Sequence, residues 1–164
     1  MTNYLHRIGW FVGLILLQVL LLNHIHIAGY ATPFLYVYFI LKFPSSTSRN
    51  ELMLWGFFLG LGVDVFSNTP GMNAAAATLM AFSRPYFLRL FTPRDLLDSI
   101  VPSFNSMGFL PFSKFMLATV FVHQSALLSI EFFSFTSLLQ LMLRIIACTL
   151  FTCICIMAVE AIKR

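Results

Sequence analysis

Apolar residues run along this chain in blocks, and polar punctuation between the blocks sets the elements they predict. Residues 8–22, 52–66, 72–91, 115–133 and 138–162 are each apolar over a length suited to a helix crossing a bilayer, the first only minimally so. A further block is weaker: residues 33–43 make only about 17 Å as a helix, against a hydrocarbon core of about 30 Å. Extending it back to residue 25 gives adequate length, with His26, Gly29 and Pro33 making its start irregular or kinked. Lys42, Pro44 and Arg49, with Ser45, Ser46 and Ser48 among them, mark a polar loop before the third block. The longest connection, residues 92–113, holds Pro93, Pro102 and Pro111. In it Thr92 as N-cap, Pro93 at the first helical position and Asp95 close behind predict a short interfacial helix near 93–101, with Leu96, Leu97, Ile100 and Val101 on one side. The cluster Phe132, Phe133 and Phe135 suits a membrane interface.

Composition turns these blocks into an architecture. Of the 164 residues 59% are hydrophobic and only 10% charged, too apolar for a water-soluble domain of this size. The expected fold class is an all-α membrane protein, about six transmembrane helices in one bundle, with residues 1–164 as a single polytopic domain. The net charge of +4 does not point to nucleic acid, because the basic residues stand singly between apolar blocks. Topology accounts for them instead. Arg7, Lys42, Arg49, Arg84, Arg89, Arg94, Lys114, Lys163 and Arg164, nine of the ten basic residues, fall on one side of a six-span arrangement with both termini cytoplasmic. If residues 25–43 failed to cross, Lys163 and Arg164 would land outside. Residues 2–22 also resemble a secretory signal with a small-x-small site at Gly29 and Ala31; cleavage there would leave a chain starting directly in apolar sequence, which favours an uncleaved first span.

One stretch departs from generic apolarity, residues 56–85. It reads as two apolar helices joined by a polar hairpin. Asp64 lies near the end of the first, and a carboxylate placed centrally in a span costs roughly 2.5–3.5 kcal/mol. Pro70-Gly71 signals chain reversal, and Asn73 stands where an N-cap would satisfy the first amides of the next helix. Gly56 and Gly60 form G-x-x-x-G, while Ala74, Ala77 and Ala81 recur at spacings of three and four, so both helices offer small-residue faces that can pack closely. Sequence leaves open whether these faces pack the protein's own core or receive a partner. Arg84-Pro85 follows at the far end, where Arg84 can reach the lipid headgroups.

Further candidates are few. Asp64, Glu131 and Arg144 belong to one leaflet of the six-span arrangement, Arg144 roughly 9 Å below its helix end. They could form a buried ion pair or hydrogen-bonded cluster; alternatively Arg144 snorkels outward and Asp64 simply accepts bonds from hairpin amides. Cys148, Cys153 and Cys155 lack a Cys-x-x-Cys spacing and read as small buried hydrophobes. His24 and His26 lack a third ligand, so no metal is expected, and His123 reads as a helix-to-helix hydrogen-bonding residue rather than a proton carrier. No nucleotide loop, catalytic triad or paired carboxylates occur in context, so neither an enzyme nor a cofactor is expected.

The hairpin resembles the segment that marks the rod shape-determining MreD family of bacteria: Gly60 and Asp64 as G-x-x-x-D, then Ser67, Pro70, Gly71 and Asn73 in the turn, a small-residue helix, and Arg84-Pro85 beyond it. Chain length, hydrophobic blocks and a short basic C-terminus are similar too. The resemblance implies a non-enzymatic scaffold of the cell-wall elongation complex in the bacterial cytoplasmic membrane. Its implied partners are the bitopic MreC and, through it, MreB, RodA and a class B penicillin-binding protein. That family is in turn similar to the six-helix substrate-binding subunits of energy-coupling-factor vitamin transporters. This implies the rival function, binding of a small vitamin-like molecule within the bundle near Asp64 and Arg144.

Overall fold

A computed structural model describes residues 2–22, 32–93, 100–131 and 138–162. Among these the chain is helical and contains no strand: α1 (Thr2–Leu20), α2 (Val37–Leu41), α3 (Arg49–Ser67), α4 (Met72–Phe91), α5 (Phe104–Met107), α6 (Phe109–Glu131) and α7 (Leu138–Ile162). α6 and α7 are long and apolar enough to cross a membrane. α4 and α7 occupy the ranges their apolar blocks predict. α6 begins at Phe109 rather than 115, because Pro111 falls in its first turn, where a missing N–H costs no helical hydrogen bond. Thr92 ends α4, its amide donating to the Leu88 carbonyl; Pro93, Ile100 and Val101 of the predicted interfacial helix are not helical, and its residues 94–99 lie outside the described residues, as do His24, His26 and the 132–135 cluster.

The main correction concerns the second block. Over residues 32–43 only Val37–Leu41 is helical, so this segment is not a helix of membrane-spanning length. Pro33 supplies part of the reason, since it has no N–H and biases the residue before it away from helix. Neighbouring side chains supply the rest. The Gln18 side-chain amide donates to the Pro33 carbonyl (2.9 Å) and accepts from the Leu35 N–H (2.9 Å), while Thr152 Oγ1 accepts from the Phe34 N–H (3.2 Å). Irregular backbone survives in an apolar setting only when its polar groups are met in this way.

That segment is the centre of the molecule. Tyr36 through Leu41 are all buried, and the main apolar core gathers around them from α1, α3, α4, α6 and α7. A smaller core of Leu128, Leu141, Ile145 and Cys148 joins α6 to α7. α3 and α4 form the most extensive pairing, followed by α4 with α6 and α6 with α7. The outward faces are apolar: Ile8, Val12, Leu16 and Leu20 make a stripe along α1, and Leu139, Met142, Leu143, Ile146, Leu150 and Ile154 line α7. Buried positions, in contrast, include Gln18, Asp64, Asn73, Arg84, His123, Gln124 and Glu160.

Candidate functional site

The α3–α4 hairpin is built on contact between backbones. A Cβ on Gly60 would come within 2.5 Å of the Ala74 amide nitrogen, and one on Gly56 within 2.8 Å of the Ala77 carbonyl oxygen. Gly56, Gly60, Ala74, Ala77 and Ala81 are all buried at this seam, so the small-residue faces pack the protein's own core. Between the helices the chain reverses through Asn68 and Gly71, both left-handed (φ 54° and 82°), with Pro70 exposed in the turn.

Asp64 ties the turn to both helices. Its Oδ1 accepts from the Asn73 N–H (3.0 Å), the Asn73 side-chain amide (2.9 Å) and the Thr69 hydroxyl (2.9 Å), and its Oδ2 accepts from the Ala74 N–H (2.9 Å). The carboxylate of α3 thus caps α4, where unpaired amides and the helix dipole favour negative charge. This corrects the expectation for Asn73: it lies inside the first turn of α4 and is itself capped, Gly71 holding the N-cap position. Freed from capping, the Asn73 side chain carries the polar chain inward. Because its NH2 donates to Asp64, its Oδ1 must accept from the Tyr36 hydroxyl (3.0 Å). The single proton of Tyr36 is then used, so the 2.7 Å contact with His123 is a bond donated by His123 Nε2. Asp64, Asn73, Tyr36 and His123 therefore form one directed chain from the turn to the middle of α6. His123 engages the central segment rather than another long helix.

The other sequence candidates divide. Glu131 and Ser67 line a cavity of about 500 Å³ at the hairpin end, with Thr32, Phe34, Thr69 and Asn73. Arg144 lies on α7 in the electrostatic neighbourhood of Cys148 and Glu131. The ion pairs Arg7–Glu51 (3.8 Å) and Lys42–Glu160 (2.7 Å) form elsewhere, and the Asp64 carboxylate is held by donors of the hairpin, Thr69, Asn73 and Ala74. Arg84 is the clearest correction. It does not extend to the surface but is 1% exposed, donating through Nη2 to the carbonyls of Leu41 (3.1 Å) and Phe43, with its guanidinium 5.8 Å from the Phe115 ring centre. The last carbonyls of a helix lack partners, and a buried cation at the end of α2 supplies them. Pro85 follows it inside α4, which continues to Phe91. None of the three cysteines is in a disulfide, Cys148 and Cys153 being buried and Cys155 partly so, and no cluster of potential metal ligands occurs among the described residues.

Sequence reasoning missed Gln18, Tyr36, Lys42, Thr152 and Glu160. Glu160 receives the Tyr38 hydroxyl (2.6 Å) and Lys42 Nζ (2.7 Å), and Lys42 also donates to the Pro102 carbonyl (3.0 Å). A lone carboxylate within the last apolar block was the available signal, with Lys42 at the end of the second block as its complement. No protein-family model, curated protein or solved structure matches the chain.

Proposed function

We propose that this chain is a multi-pass membrane scaffold of the MreD kind, a non-enzymatic member of a bacterial cell-wall elongation complex with both termini on the cytoplasmic side. The observation that carries the reading is the hairpin: Gly60, Asp64 and Asn73, residues of the resemblance, form one rigid unit in which a carboxylate caps the following helix across a backbone-to-backbone seam. Such a unit presents a fixed turn at one end of the bundle. The apolar outer faces then meet lipid or a partner's span. Between α1 and α3 runs an apolar groove of about 480 Å³, with Ile8, Val12, Phe58 and Val65 on its walls and Gly62 within it. A single helix of a bitopic partner such as MreC would lie there, MreB, RodA and a class B penicillin-binding protein joining through the wider complex. Affinity purification in mild detergent with mass spectrometry of proteins and small molecules tests this. Recovery of a bitopic wall-elongation protein, lost on Val65→Trp without loss of folded protein, is the expected result; its absence would contradict the scaffold reading.

The hairpin-end cavity favours a second reading, the vitamin-binding subunit of a transporter. Its 500 Å³ and its mixed lining of Phe34, Leu127, Thr69, Asn73 and Glu131 are suited to a small polar molecule. In that case a stoichiometric small molecule or an ATP-hydrolysing module would co-purify.

A further inference from the structure

At the end of the bundle opposite the hairpin lies a cavity of about 470 Å³ whose polar lining is all hydroxyl and guanidinium: Ser45, Ser46, Thr47 and Ser48, then Arg49, Arg84 and Arg89. Among the described residues no carboxylate lines it. The acidic residue nearest in sequence, Glu51, pairs with Arg7. We propose that this cavity binds a phosphoryl group, carried either by a membrane lipid headgroup or by a soluble phosphate compound.

Four features point to that chemistry. First, the hydroxyl run leads directly into the N-terminus of α3, nineteen residues long, where Ser48 Oγ accepts from the Glu51 N–H (3.3 Å) and the preceding amides have no intrahelical partner. Second, Arg84 is buried yet incompletely used: Nη2 makes both of its bonds to carbonyls, and buried Nε has no partner among the described residues. A guanidinium offers five N–H donors in a fork that matches phosphate, so a buried one with idle donors in a cavity wall calls for an acceptor. Third, Arg49 is held in place by stacking on Phe82 and Tyr86, at 5.0 and 4.7 Å from the ring centres. Fourth, the loop is anchored, since the Ser45 N–H donates to the Ile100 carbonyl (2.9 Å) and Ser45 Oγ accepts from the Ile100 N–H (3.1 Å). Three cations, four hydroxyls and a helix N-terminus therefore converge, with no anion among the described residues of the lining. The site is independent of the scaffold reading, because it lies at the other end of the bundle and uses none of the groove residues.

The test uses the full chain in phosphate-free maltoside micelles, titrated with inorganic phosphate or with short-chain phosphatidic acid, against chloride at matched ionic strength. Thermal unfolding reports binding, since a ligand that binds only the folded state raises the midpoint. A rise with both probes, or with phosphatidic acid alone, supports the site; the first pattern assigns it to phosphoryl groups in general and the second to lipid headgroups. Arg89→Gln and Ser46→Ala, at exposed positions, leave the bundle folded, and Arg89→Gln weakens binding about tenfold, the scale of one charge-assisted hydrogen bond. No rise beyond that of chloride, or unchanged binding in an Arg49→Gln/Arg89→Gln double variant, would overturn the proposal.

Discussion

The α3–α4 hairpin and the central segment 32–43 are both deeply buried, yet they are held by opposite means. In the hairpin, small residues bring backbones together, and one carboxylate, Asp64, satisfies the α4 amides. In the central segment the backbone abandons a full-length helix, and polar side chains hold it instead: Gln18 from α1, Arg84 from α4 and Thr152 from α7 meet its backbone groups, while Asn73, His123 and Glu160 bond the hydroxyls of Tyr36 and Tyr38. Close packing tolerates no added atom, and side-chain bonding tolerates no lost partner. The two regions should therefore fail in different ways.

Enlargement of the seam should have the largest effect. Gly60→Leu drives a side chain into the α4 backbone, which has no rotamer with which to yield, and should remove the folded protein from a detergent size-exclusion profile. Asp64→Leu should come next, at about 3–5 kcal/mol in an unfolding titration, because it orphans several buried donors at about 1–3 kcal/mol each. Asp64→Asn keeps an acceptor and should cost distinctly less; equal damage from both would refute the capping role. In the central segment, Gln18→Leu should cost about 2 kcal/mol, the scale for leaving the Pro33 carbonyl and Leu35 amide without partners. The smallest effect sharpens the comparison. Gly13 faces open space within α1, so Gly13→Ala should be neutral or stabilise by about 0.5–1 kcal/mol, whereas the same change at Gly56 should destabilise.

The hairpin was legible because its determinants are local. Gly56 and Gly60 against Ala74, Ala77 and Ala81 are periodicities within two neighbouring helices, and Pro70-Gly71 is a turn signal. Even there the residues alone leave two readings of the cap: Asn73 as N-cap, which the structure corrects, and Asp64 accepting from the hairpin amides, which it shows; the choice depends on how α3 and α4 dock. The central segment was not legible for the same reason at greater range. Its partners lie 15 to 122 residues away, from Gln18 to Glu160, and no periodicity within residues 25–43 encodes them. Arg84 illustrates the point. An arginine near a helix end suggests a headgroup contact, and only the position of the Leu41 and Phe43 carbonyls turns it inward.

The account requires that the hairpin and the Ser45–Ser48 loop lie at opposite faces of a membrane. Single cysteines at Asn68 and Ser46, both exposed, test it directly by labelling in intact cells with an impermeant maleimide, the unsubstituted chain giving the background. Asn68→Cys should label from outside, and Ser46→Cys only after permeabilisation. Labelling of both from the same side would contradict the crossing of α3, the helix that joins the two positions, and with it the membrane bundle.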